Sequence, residues 1–92
     1  MYVVDIFTKD LQKGSKQLEK LYNSIPKDHE ILYHSRYNFY DKTTDTKYTV
    51  YNVNACPRAY RFDRCYIDEC LTAEEIETCV ERRRKPTTFY FN

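Results

Sequence analysis

The hexapeptide Leu71-Thr72-Ala73-Glu74-Glu75-Ile76 fixes one boundary of the fold more firmly than any other stretch of the chain. Thr72 stands where an N-cap hydroxyl accepts from the backbone three residues on, and Glu75 where its carboxylate reaches back to the cap, a reciprocal capping box. Leu71 and Ile76 flank the box as a hydrophobic staple. A helix therefore starts at Thr72, and it is expected to run to Arg84, burying Ile76, Cys79 and Val80, before Pro86 releases the chain. Strands are expected on either side of it. Tyr60 to Ile67 alternates and runs into Asp68-Glu69, and Thr87 to Phe91 is rich in aromatic and β-branched residues.

The N-terminal half repeats the same change of period. Met1 to Phe7 is an apolar run broken only by Asp5, which suits a strand buried on both sides. From Lys9 to Ile25, Leu11, Leu18, Leu21, Tyr22 and Ile25 share one helical stripe, and Pro26 enforces the stop. Gly14 weakens the first turns, so the regular helix is expected from Ser15. Glu30 to Tyr40 reads as one alternating strand, with Ile31, Tyr33, Tyr37 and Phe39 on one face and His34, Arg36 and Asn38 on the other. Lys47 to Val53 is its partner across the polar loop Asp41 to Thr46, and Ala55-Cys56-Pro57 ends that second strand. The order is βαββ(β)αβ. It predicts an α+β fold of two layers, a mixed sheet of four or five strands with two helices, in a single domain spanning residues 1–92.

Composition narrows the function classes. Lys plus Arg is 15 against 14 for Asp plus Glu, a net charge of +1, which argues against a uniformly basic nucleic-acid coat and a strongly acidic DNA mimic alike. Ten Tyr and five Phe supply the core that the sparse aliphatic residues do not. No run approaches the ~20 apolar residues of a membrane span, and Met1-Tyr2-Val3-Val4-Asp5 lacks the basic and apolar regions of a secretory signal. The expectation is a cytoplasmic protein. Lys, Asn, Tyr, Ile and Phe, the residues of AT-rich codons, make up 33 of 92 positions, which points to an AT-rich bacterium or its virus.

The stretch from the predicted hairpin through Arg58-Ala-Tyr-Arg-Phe-Asp63 to Tyr66-Ile-Asp-Glu69 and the following helix, residues 31 to 84, resembles the acidic-strand region of large-terminase and helicase-type P-loop ATPases. That resemblance implies Asp68 and Glu69 as holders of Mg²⁺ and water. The chain departs from the family at its phosphate loop: the G-x-x-x-x-G-K-[ST] signature cannot be written with one glycine, and Lys13-Gly14-Ser15 lacks the upstream glycine. No cofactor and no ATP hydrolysis are expected of this chain alone. The plainer reading of Asp68-Glu69 is a pair of acids solvating a strand end ahead of a helix N-terminus.

Cys56, Cys65, Cys70 and Cys79 are spaced C-x8-C-x4-C-x8-C, and only Cys65 and Cys70 come near a zinc-knuckle spacing. Free thiols, with no metal and no catalytic role, are the expectation. Arg82, Arg83, Arg84 and Lys85 either complement a helix C-terminus or, with Arg58, Arg61 and Arg64, meet a partner. Seven cations against seven acids between Arg58 and Lys85 favour a polar protein interface over plain affinity for phosphate. Tyr37 and Tyr40 join these cations as expected contacts, because Tyr and Arg dominate interface hot spots. The expected function is that of a small non-enzymatic binding protein, phage or mobile-element encoded, directed at a host protein or ribonucleoprotein complex; direct nucleic-acid binding ranks second. In size and lack of motifs it resembles anti-CRISPR and similar anti-defence inhibitors. Two alternatives are a split ATPase or metal-dependent nuclease subunit using Asp68 and Glu69, and a zinc-stabilised nucleic-acid module.

Overall fold

A computed structural model describes residues 1–55, 62–77 and 87–92 of the chain. It has an α+β fold: β1 (Tyr2–Thr8), α1 (Leu11–Ser24), β2 (Ile31–His34), β3 (Asn38–Asp41), β4 (Thr46–Asn52), a 3-10 turn (Val53–Ala55), β5 (Arg64–Asp68), α2 (Ala73–Ile76) and β6 (Thr87–Phe91). The six strands form one mixed sheet in the order β2-β3-β4-β1-β5-β6. β4, β1, β5 and β6 run parallel, and β2 and β3 complete the sheet as an antiparallel meander.

β1 lies at the centre of the parallel part. Its residues Val4, Asp5, Ile6, Phe7 and Thr8 are all fully buried, which is why the run is apolar on both of its faces. Val4 and Ile6 join Leu18, Phe39, Tyr48, Val50 and Phe91 beneath α1, while Phe7 joins Val53, Phe62, Cys65, Ile67 and Leu71 on the opposite face.

The class and the element types agree with the sequence, but the described residues hold six strands where four or five were expected. The extra one arises because Glu30 to Tyr40 is two strands, β2 and β3, folded on each other. Ser35 makes the reversal: its amide donates to the Asn38 carbonyl at 2.8 Å and its hydroxyl reaches the Asn38 side-chain oxygen at 2.8 Å. His34 thereby faces Phe39, and Tyr33 stacks on Tyr40 at 6.1 Å on the other side, so the single alternating face drawn from Ile31 to Phe39 does not exist. The Asp41–Thr46 loop forms as expected. Asp41 accepts from the amides of Thr43 and Thr44 and pairs with His29 Nδ1 at 2.8 Å, and Asp45 takes the left-handed conformation (φ 50°) that Asp tolerates.

α1 begins at Leu11, earlier than the Ser15 expected from Gly14. The Asp10 carboxylate caps it by accepting from the Gln12 and Lys13 amides. Gly14 is a packing residue: a Cβ there would stand 2.6 Å from Val50 Cγ1 and 2.8 Å from Thr8 Cγ2, so its bare backbone lets α1 sit down on the sheet. The Thr72 capping box forms as read from sequence, and Leu71 and Ile76 share one apolar cluster; the continuation of α2 towards Arg84 lies outside the described residues.

Handedness then decides which parts of the sheet are covered. The crossover from β1 through α1 ends in β2, at the edge on the β4 side of β1, whereas that from β5 through α2 ends in β6 on the other side. Right-handed crossovers stepping in opposite directions put their helices on opposite faces. Contacts agree: α1 packs across β1 and β4, and Ile76 of α2 packs on the reverse face. Two quarters of the sheet are therefore bare of helix among the described residues, the α1 face of β5–β6 and the reverse face of β2–β3. No described helix is long and apolar enough to cross a membrane.

Candidate functional site

The bare quarter beside β5 and β6 is lined by rings and one cation. Register places Arg64 and Tyr66 of β5 level with Val4 and Ile6 of β1 and with Thr87 and Phe89 of β6, all on the α1 face, with Tyr2 at the near end of β1. Tyr66 and Phe89 stack at 5.2 Å with their planes 21° apart. The Arg64 guanidinium lies between two rings, 5.9 Å from the centroid of Tyr2 and 5.6 Å from that of Tyr66. Tyr2 and Phe89 remain 41% and 45% exposed, so this surface is both aromatic and open.

Among the described residues no carboxylate forms an ion pair with Arg64, and its Nε is buried without a hydrogen-bond acceptor. Burial pushes the Tyr48 hydroxyl up in pKa, and the nearby Arg64 charge pulls it partly back. A cation half-sunk among rings, without a carboxylate partner among the described residues, offers an anionic, planar or aromatic group two contacts at once.

A second cluster stands at the carboxyl ends of β1 and β5. This is the switch point of the sheet, where the chain leaves adjacent strands in opposite directions and where ligands of open α/β sheets commonly sit. Asp68 ends β5 as a buried carboxylate. Its Oδ1 accepts from Lys13 Nζ at 2.6 Å and from the Cys70 amide at 2.9 Å, and its Oδ2 accepts from the Thr8 hydroxyl at 2.9 Å. Burial pushes this carboxyl up, but the Lys13, Cys70 and Thr8 hydrogen bonds outweigh it and hold Asp68 below its ordinary value. The hydrogen bond that Lys13 donates to Asp68 raises the Lys13 ammonium in turn. Asp68 thus ties α1 to β5 with most of its acceptor capacity engaged internally, while Glu69 beside it is exposed. No group of three His, Cys, Asp or Glu side chains converges among the described residues.

The residues expected to meet a partner are dispersed. Arg64 lies in the aromatic quarter. Tyr37 packs partly against the core beneath α1, and Tyr40 stands on the reverse face, donating to Asp45 at 2.5 Å. Arg64 and Tyr40 are therefore on opposite faces and do not form one surface. Arg58, Arg61, Arg82, Arg83, Arg84 and Lys85 lie outside the described residues, as do Cys56 and Cys79. Of the remaining thiols Cys70 is exposed, and Cys65 is buried with its pKa pushed up by that burial. Sequence reasoning passed over Tyr2 and Phe89. The signal was present in β6: Thr87 to Phe91 has bulky residues on both faces, and a strand at a sheet edge cannot hide both. Comparison with models of known protein families and with curated proteins finds no match to this sequence.

Proposed function

We propose that this chain is a non-enzymatic binding protein that inhibits or modulates a nucleic-acid-handling or defence machine of a bacterial host, docking through the aromatic quarter formed by Tyr2, Arg64, Tyr66 and Phe89. The observation that carries the reading is the exposure of two large rings, Tyr2 against the Arg64 cation and Phe89 stacked on Tyr66, on a sheet face bare of helix among the described residues, where Arg64 also has no carboxylate partner. A chain that needed this surface only for stability would gain by covering it. Binding is favoured over catalysis because Asp68, the buried carboxylate that ends β5 at the switch point, is already clamped by Lys13 and Thr8.

The test is a restriction assay. Expressed in a host whose RNA-guided nuclease restricts a phage, the protein is expected to raise plating efficiency. The double variant Tyr2→Ala/Phe89→Ala, with an unchanged circular dichroism spectrum, is expected to lose at least tenfold of that effect, the scale set by truncating interface anchors. No effect of the wild type on restriction, or full effect of the variant, contradicts the proposal.

A further inference from the structure

We infer that the aromatic quarter takes a single-stranded nucleic acid, the guide or substrate strand of the targeted machine; the inference rests on the docking surface proposed above. Three features of the surface point the same way. The rings lie on neighbouring strands, with Phe89 continuing the Tyr66 stack outward to solvent, so a planar base can extend the stack on its open side. Tyr2 offers a second open ring across Arg64. Between them the half-buried guanidinium has no carboxylate partner among the described residues, which leaves its charge for a phosphate.

A polynucleotide presents a planar ring and an anion at every residue, and so meets this alternation of ring, cation and ring without a special sequence. An acidic peptide would have to bring a ring and a carboxylate at one matching spacing. Duplex nucleic acid hides the faces of its bases and would leave the two open rings unused. In the sequence, Arg82-Arg83-Arg84-Lys85 stands just before β6, whose first residue pairs with Arg64.

The experiment is fluorescence anisotropy of the full chain with a labelled twelve-residue single-stranded RNA and the matching DNA, beside their duplex and a glutamate-rich peptide of equal length. Saturable binding of a single strand between about 1 and 100 µM is expected, with the duplex and the peptide at least tenfold weaker. Phe89→Ala is expected to weaken it about tenfold by loss of one stacking platform. Arg64→Gln should reduce the slope of log affinity against log salt by about 0.7, one phosphate on a single strand. Tyr33→Ala, on the reverse face, should leave affinity unchanged. Absence of saturable single-strand binding, equal binding of duplex or peptide, or an unaltered affinity in Phe89→Ala overturns the inference. Phe89 is exposed at an edge, so that variant is readable even if Arg64→Gln does not fold. Restored plating without oligonucleotide binding removes this inference and leaves the proposed function standing; oligonucleotide binding without any effect on restriction does the reverse.

Discussion

Phe39→Ala is expected to destabilise the fold by about 3–5 kcal/mol, the usual range for emptying a large aromatic site in a core. Phe39 is fully buried in β3 and is ringed by other rings, stacked on Tyr48 at 4.1 Å and edge-on to Tyr22 at 5.3 Å and His34 at 5.9 Å. Those neighbours are flat and held by stacking among themselves, Tyr22 on His34 at 3.8 Å, so they have little freedom to collapse into the space left behind. Since a domain of this size commonly holds only about 5–15 kcal/mol in total, the loss takes much of the margin. The urea midpoint followed by circular dichroism measures it. A shift worth less than about 1 kcal/mol would show that α1 and the β2–β3 hairpin are not joined through this ring.

Asp68→Ala should cost about 2–3 kcal/mol, because it strands a hydroxyl, an amide and an ammonium that now share one buried carboxylate. The value is kept below the full penalty of a broken buried pair because the Lys13 side chain is 22% exposed and can rehydrate. The double variant Lys13→Met/Asp68→Ala is expected to cost less than the two single changes added together. The carboxyl also makes stability depend on pH. Its folded pKa is depressed, so its contribution is present above the ordinary carboxylate range near 3.9 and is lost as pH falls through the folded value. Asp41 is likewise held low: burial pushes it up, but His29 and the Thr44 donors outweigh that, so acid acts on it in the same direction. Asp68→Asn should therefore flatten, without abolishing, the loss of stability below pH ~4 seen by thermal melting. An acid limb as steep as that of the wild type would mean that the clamp does not hold in solution.

The parts of the fold that are written locally could be read in the sequence. The Thr72–Glu75 box, the Pro26 stop and the apolar run of β1 each act within a few residues, and each lies where it was read. The failures are also physical. At Ser35 a turn held by a side chain sits inside an otherwise regular alternation, and period alone reads straight through it. At Gly14 the helix-weakening residue is kept because Val50 and Thr8 lie within 3 Å of where its Cβ would be, a fact about β4 and β1 and not about the helix.

The candidate site was only partly legible for the same reason. Arg64 was singled out for its charge, but the rings against it are Tyr2 and Tyr66, with Phe89 stacked on the latter, and nothing local says that β1, β5 and β6 are neighbours. Asp68 was singled out for its place at a strand end, yet what binds it is Lys13, 55 residues away. Once the strand order is known, the bare quarter follows from the handedness of two crossovers.

Site-specific photocross-linking during phage challenge tests the central claim most directly, with a photoreactive phenylalanine analogue in place of Phe89 or, separately, of Tyr33. The two positions lie on opposite faces at opposite ends of the same sheet and are similarly exposed, so reactivity and access are matched. Adducts from position 89 and none from position 33 are the predicted result. Adducts from position 33 alone would place the partner on the β2–β3 face and contradict the account.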